Sequence, residues 1–155
     1  MRQTYTVTER IVAGLAHLFM LVGVLVTLVN LIGWPLFPKS AYYFLIPNAL
    51  LALVAFRRSP FAWSHVGQAV TYHVAGLLLG TIPPFLRFLS HVGVLGEKWQ
   101  YTGFGGNGMT PTWALMVLVL AFAGLFLLSM ASDATVKGFA GERVEYPLAG
   151  RLFRS

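Results

Sequence analysis

The sequence predicts an all-α, polytopic membrane protein with four transmembrane helices. Of its 155 residues, 57% are hydrophobic and only 10% are charged. The chain contains four long apolar stretches, and residues typical of helix starts or helix ends separate them. A helix of about 20 apolar residues crosses the ~30 Å hydrocarbon core of a bilayer. We therefore expect a single membrane domain over residues 1–155, with a short outer interfacial helix and a cytoplasmic tail.

The first two helices are predicted over residues 10–33 and 42–56. Thr8 is a suitable N-cap for the first helix, and Pro35 cannot continue its hydrogen-bond ladder. The apolar run of this helix is longer than the ~7–15 residues of a signal-peptide core, so we expect it to be retained. The second helix is only about 22 Å long at 1.5 Å per residue, so a re-entrant hairpin is the alternative to a crossing.

The third and fourth helices are predicted over residues 60–82 and 111–131. Ser59-Pro60 and Thr110-Pro111 each place a capping side chain before a proline at the first helical position. Pro83-Pro84 then predicts a break or kink at the end of the third helix.

The remaining segments are predicted to lie at the two membrane surfaces. The outer segment, residues 83–110, contains an interfacial helix over 85–95, where Arg87 either anchors the helix by snorkelling or contacts a ligand. The tail, residues 132–155, alternates apolar residues with arginines. It is expected to lie on the cytoplasmic membrane surface, with docking on a partner as the alternative.

The distribution of lysine and arginine predicts the orientation. With four crossings, eight of the 11 basic residues share one side, which places both termini in the cytoplasm of a bacterial inner membrane. The net charge of +6 then fits anionic lipid headgroups better than nucleic acid. The candidate membrane-surface residues are Arg57, Arg58, Arg143, Arg151 and Arg154.

A stripe of polar and small residues runs along the third helix. Gln68, Tyr72, Gly76 and Gly80 are spaced by four, and His65 lies on the same side. Small residues let another helix approach closely, and polar residues bond across helices in lipid. The stripe is interpreted as the packing seam of the bundle. The functional alternative is a hydrophilic cavity open to the cytoplasm.

The histidines and acidic residues limit the possible chemistry. His17 and His73 are predicted at similar depths on different helices, a pattern compatible with axial haem ligation, although a single interhelical hydrogen bond for each is the simpler interpretation. His65 and His91 are placed near opposite interfaces. The chain has no cysteine, and its acidic residues lie outside the helix interiors, so we expect no metal site and no cofactor.

No catalytic motif is present, which predicts that the protein is not an enzyme. The sequence has no Gly-x-Ser-x-Gly elbow, and the glycine-rich segment 103–108 lacks the ending of a phosphate-binding loop. No pair of carboxylates is placed in the membrane, which disfavours proton-coupled transport.

Several short segments together resemble a known family, the small bacterial four-helix membrane proteins of unknown function. These proteins are distantly related to the pore-forming subunit of the plastid inner-envelope protein translocon. The resemblance covers most of the chain, although the family usually has glutamine where His73 stands, and the outer segment is longer here. The segments that carry it are Glu9-Arg10, Ala16-His17-Leu18, Ile46-Pro47, Arg58-Ser59-Pro60-Phe61, His65-x-x-Gln68-Ala69 and Tyr146-Pro147-Leu148. The resemblance implies four helices, no catalytic residues that can be transferred, and a channel role only through the plastid relatives.

Three functional hypotheses follow. The first is a non-enzymatic accessory or structural subunit of a larger membrane assembly, surrounded by lipid and by other subunits or further copies of itself. The second is a transporter or channel component that uses the stripe on the third helix. The third is a haem-binding electron-transfer anchor that uses His17 and His73.

Overall fold

A computed structural model describes residues 5–31, 43–55, 59–94 and 111–146. This part of the chain forms four α-helices and contains no strand, which confirms the all-α fold class. The helices are α1 (Val7–Leu31), α2 (Leu45–Ala55), α3 (Pro60–His91) and α4 (Pro111–Ala140).

Helix α1 lies at the centre of the bundle and contacts each of the other three helices. Small side chains make this possible, since buried alanines line all three long helices. The backbones of α1 and α4 approach closely, and a Cβ added at Gly138 would lie 2.9 Å from the backbone nitrogen of Gly14. The buried core includes Ala13, Ala16, Met20, Val24, Val66, Ala69, Leu127, Ala131 and Ala134.

Helix α1 begins at Val7, before the predicted boundary at residue 10, because Thr6 and Glu9 form a capping box. The Thr6 backbone N–H donates to Glu9 Oε2 at 2.7 Å, and the Glu9 N–H donates to Thr6 Oγ1 at 3.2 Å. Thr6 is therefore the N-cap, and the prediction of Thr8 in this role is wrong.

Helix α3 continues through Pro83-Pro84, so the predicted break and the separate interfacial helix over 85–95 are wrong. Each proline removes its own amide donor, and its ring crowds the carbonyl four residues earlier, but its φ is helical and the neighbouring residues continue the helix past the pair. The helix ends near Gly93, whose φ is +77°, and the Val94 N–H donates to the Leu89 carbonyl at 3.0 Å. Residues 85–91 are the last turns of α3, and residues 95–110 lie outside the described part of the chain.

Helix α4 continues to Ala140, past the predicted boundary at residue 131. Ala131, Ala134 and Gly138 form one buried face along this extension, which leaves its polar residues on the exposed side. Gly141, with a φ of +76°, ends the helix, and the Glu142 N–H donates to the Lys137 carbonyl at 2.9 Å.

Two helices, α1 and α4, are long and apolar enough to cross a membrane. Helix α2 is apolar but has only 11 residues, which is short for a crossing. The four crossings and the position of the termini therefore stay predictions.

Candidate functional site

Four buried polar side chains meet inside one end of the bundle. His17 comes from α1, His65 and Gln68 come from α3, and Tyr146 follows the end of α4. All four are buried, with His17 fully so. We call this group the polar cluster. Buried polar groups are costly unless they are hydrogen-bonded, so their pairing determines whether the bundle end is stable.

The two histidines of the cluster form a hydrogen bond across α1 and α3. His17 Nε2 lies 3.0 Å from His65 Nδ1, and the ring planes are close to perpendicular. The other ring nitrogen of His17, Nδ1, lies 3.2 Å from the hydroxyl oxygen of Tyr146. Both nitrogens of His17 are thus engaged, one by a neighbouring helix and one by the chain beyond α4.

Gln68 binds the backbone of the chain that follows α4. Its Oε1 accepts a hydrogen bond from the Tyr146 backbone N–H at 2.8 Å. Its Nε2 donates to the Val144 carbonyl at 2.9 Å and to Ser64 Oγ at 3.2 Å. The side chain that sequence analysis assigned to a packing seam or a cavity therefore holds a returning segment of backbone.

The returning segment, residues 142–146, is extended and packs across the end of the bundle. Val144 and Tyr146 are buried while Arg143 and Glu145 are exposed, the alternation expected of extended backbone with one covered face. We call it the docked segment. For these residues, Gly141 turns the chain back and Gln68 binds it to the bundle, so the Tyr146 side chain is covered by protein. The predicted position of the tail at the membrane surface stays a prediction.

The exposed side chains of the docked segment also contribute a contact. Arg143 Nε donates to the hydroxyl of Tyr5 at 3.3 Å, and the Tyr5 ring stacks on Phe61 with centroids 3.8 Å apart. Of the candidate membrane-surface residues, Arg143 is thus placed at this end of the bundle. The others, Arg57, Arg58, Arg151 and Arg154, lie outside the described residues.

The phenol of Tyr146 is held in its protonated form. Burial raises the pKa of Tyr146 above its ordinary value of 10.0, and the Asp133 carboxylate and the Tyr72 phenol raise it further. The hydroxyl can donate to His17 Nδ1 or to the Met130 carbonyl, which lies 3.3 Å away. In the hydrogen bond with His17, the Tyr146 hydroxyl can therefore act either as the donor or as the acceptor.

A second buried polar pair joins α2 to α3. Asn48 Nδ2 lies 3.3 Å from His73 Nδ1, and both residues are fully buried. Gly23 of α1 lies against the His73 ring, and a side chain at position 23 would displace that ring. Asn48 is not among the site residues predicted from the sequence, although a lone amide within an apolar helix is a signal for such a pair.

The residues of the predicted haem site have different neighbours. His17 bonds to His65 and Tyr146, whereas His73 bonds to Asn48. The simpler interpretation, an interhelical hydrogen bond for each histidine, describes this geometry. Axial haem ligation stays a prediction, which the presence or absence of a Soret band in the visible spectrum of the pure protein decides.

The rest of the predicted stripe lies along α1. A Cβ at Gly76 would lie 3.1 Å from the side chain of Val24, and one at Gly80 would meet Thr27. The Tyr72 ring packs on the Tyr146 ring, with centroids 4.6 Å apart. The stripe thus joins two structures, the polar cluster at one end and a glycine seam against α1 at the other.

Neither metal-binding groups among the described residues nor similarity to known proteins assigns a function to the site. Among the described residues, no group of three or more histidine, aspartate or glutamate side chains could hold a metal ion. Comparisons of the chain with protein-family models, curated proteins and solved structures find no match.

Proposed function

We propose that the chain is a non-enzymatic integral membrane protein that serves as an accessory or structural subunit of a larger membrane assembly. In this proposal it lies in a bacterial inner membrane, crosses it four times and has both termini in the cytoplasm. One observation supports the proposal above all: the polar side chains of the cluster turn inward to one another, while the outer faces of α2 and α4 are apolar and exposed.

The exposed apolar surface favours lipid or protein neighbours over water. Only 22% of the most apolar stretch of α4 is buried within the bundle, whereas the core helix of a water-soluble protein would be mostly buried. An apolar surface of this extent on a lone soluble protein is a liability for aggregation. The exposed large side chains of α4 include Leu115, Leu118, Val119, Phe122, Leu125 and Phe126.

The internal hydrogen bonds favour a packing role over a transport path. A path along the third helix would need Gln68 and Tyr72 to face a cavity. Gln68 instead binds the docked segment, and Tyr72 packs on Tyr146. The resemblance to the four-helix bacterial family fits the same role, since four helices in one monomer are too few to enclose a protein-wide pore without further subunits.

Mass measurement after extraction tests this proposal. The tagged chain is expressed in bacteria, the membranes are washed with alkaline carbonate, and the protein is extracted in a mild detergent for native mass spectrometry. We expect the chain to stay in the washed membrane and to appear in a complex heavier than the monomer. A lone monomer, or release by carbonate, would contradict the proposal.

Paired variants identify the surface that the assembly uses. Phe122 and Phe126 are exposed on α4, and Leu53 is exposed on α2. If α4 carries the contact, the double variant Phe122→Ala/Phe126→Ala dissociates the complex while Leu53→Ala leaves its mass unchanged. The opposite pattern would place the contact on α2.

Transport is the second candidate, because intramembrane polar residues often mark a path, and two of the predicted ones, His65 and Gln68, are buried together with Tyr72 half-buried beside them. If His65, Gln68 and Tyr72 line a path, Gln68→Leu abolishes flux through vesicles that contain the protein. Unchanged flux in this variant would reject the stripe as the path.

A further inference from the structure

The hydrogen bond between His17 and His65 is compatible with only certain protonation states of the two rings. His17 Nε2 and His65 Nδ1 are 3.0 Å apart, so a single hydrogen lies between the two nitrogens. On the far side of His17, the Tyr146 hydroxyl donates to Nδ1, or accepts from it while donating to the Met130 carbonyl. The neutral cluster therefore has two self-consistent arrangements, one the reverse of the other.

One added proton fits this geometry without the loss of a hydrogen bond. A cationic His17 carries hydrogens on both nitrogens, so that Nε2 donates to His65 Nδ1 and Nδ1 donates to the Tyr146 oxygen. The Tyr146 hydroxyl then donates to the Met130 carbonyl. A second proton does not fit, because it puts a hydrogen on His65 Nδ1 that points at the hydrogen on His17 Nε2.

We propose that the polar cluster is an acid-sensitive latch, in which the docked segment stays bound when the His17–His65 pair takes up one proton and is released when it takes up the second. Two positive charges 3.0 Å apart in a buried site repel strongly, and neither can be hydrated in place. The repulsion is relieved only if water reaches the cluster. The part of the protein that covers the cluster must therefore move.

The surroundings of the pair include further titratable groups. Helix α3 also contributes Tyr72, which packs on Tyr146. The docked segment contributes Tyr146 itself and the backbone carbonyl of Glu142, which lies near the His65 ring. Helix α4 contributes the Asp133 carboxylate, which acts on Tyr146 and also pairs with Lys137 at 2.6 Å. Tyr146 and Tyr72 stay neutral at acidic pH, so the two histidines are the groups of this set that gain charge there.

The docked segment is the element that moves most easily. It is held to the cluster by the two hydrogen bonds of Gln68 and the hydroxyl of Tyr146. The alternative movement, separation of α1 from α3, would undo the close packing at Gly76 and Gly80 along the length of both helices. This inference does not depend on the proposed assembly, because it concerns contacts within one chain.

Cysteine accessibility measures the release directly, since the natural chain contains no cysteine. Two single-cysteine variants of the full chain are compared in detergent: Val144→Cys at a buried position and Glu145→Cys at its exposed neighbour. The ratio of their maleimide labelling rates cancels the effect of pH on the thiol. We expect this ratio to rise about ten-fold between about pH 8 and pH 4, because histidines of the opened state lie in water and take up protons near the ordinary pKa of about 6.5, which favours opening.

Two further variants make the result specific. In a His65→Gln background, one titratable ring is gone while a hydrogen-bonding side chain remains, so the ratio should stay low down to pH 4. His17→Gln provides the same test if His65→Gln does not fold. Gln68→Leu gives the undocked reference, with a high ratio at every pH. A constant ratio in the natural background, or an unchanged acid response in both histidine variants, would overturn the latch.

Discussion

The side-chain amide of Gln68 pairs with the backbone on either side of residue 145 much as a neighbouring strand would. Its oxygen accepts from the Tyr146 N–H at 2.8 Å, and its nitrogen donates to the Val144 carbonyl at 2.9 Å. This pairing uses only backbone groups of the docked segment, and it fixes the direction in which the segment runs. The phenol of Tyr146 then points at His17, so that one glutamine on α3 determines a contact between α1 and the chain beyond α4.

Replacement of Gln68 by leucine should destabilise the docked segment. The Val144 carbonyl and the Tyr146 N–H would lose their buried partner, at a cost of about 1–3 kcal/mol for each unsatisfied group. Limited proteolysis of the purified protein should cut the docked segment faster, and the thermal midpoint should fall. Thr71→Val is the matched control, because Thr71 lies on the same helix and bonds only its own Gly67 carbonyl at 2.9 Å. Equal proteolysis of the two variants would contradict the role of Gln68.

Two glycines at the α1–α4 contact should respond differently to alanine. A Cβ at Gly138 would meet backbone atoms of Ala13 and Gly14 at 2.9–3.0 Å, so the helices must separate, at a cost of about 3 kcal/mol. The nearest atoms to a Cβ at Gly14 are Cγ and both Cδ atoms of Phe139, all at less than 3.0 Å. The Phe139 side chain is 39% exposed and can take another rotamer without separation of the helices, so we expect a smaller cost of about 1–2 kcal/mol. Thermal unfolding in detergent compares the two, and a larger loss for Gly14→Ala would contradict this account.

Glu9 should stabilise the bundle by joining the starts of two helices. One carboxylate oxygen completes the capping box with Thr6, and the other accepts from Ser59 Oγ at 2.5 Å. Ser59 in turn caps α3 through the Ala62 N–H at 3.2 Å. We expect Glu9→Ala to cost about 1–2 kcal/mol, seen as a lower thermal midpoint. Glu142→Ala, which removes an exposed carboxylate, serves as the control and should leave the midpoint almost unchanged.

Alkaline pH should weaken the bundle through Tyr146. Its pKa in the folded protein lies above the ordinary value of 10.0, so the folded state favours the protonated phenol. The stability that Tyr146 contributes is therefore fully present below about pH 9 and is lost as the pH rises past the ordinary value. The thermal midpoint of the natural chain should fall toward that of Tyr146→Phe between about pH 9 and pH 11. A constant difference between the two proteins across this range would show that the phenol does not titrate with unfolding.

Local signals in the sequence predict much of the helical structure. Serine before proline at residues 59 and 60 marks the start of α3, and α4 begins at Pro111, where the same kind of signal occurs. These signals act within one helical turn, so they depend little on the rest of the fold. The ends of α3 and α4 were predicted wrongly. In α4, a few polar residues do not end a helix whose opposite face, at Ala131 and Ala134, is buried. In α3, the proline pair removes two amide donors but keeps a helical φ, and the helix continues to His91.

The candidate site depends on contacts that no local pattern reports. The depth of His17 and His73 along their helices suggested a pair, but rotation about the helix axes turns His17 toward His65 and His73 toward Asn48. The stripe on the third helix was visible from its spacing of four. Its partner Tyr146 was not, because 78 residues separate it from Gln68. Only the fold brings them together.

The docked segment is synthesised after all four described helices, although it contacts residues of the first. Helix α1 is synthesised first, and its His17 can contact Tyr146 only after all four described helices have been synthesised. A nascent chain that stops at Ala140 would contain every described helix and still present Gln68 and the histidines without the cover of residues 142–146. Closure of this end of the bundle therefore comes after the synthesis of all four described helices, and a product that stops before residue 142 leaves the polar cluster without its cover.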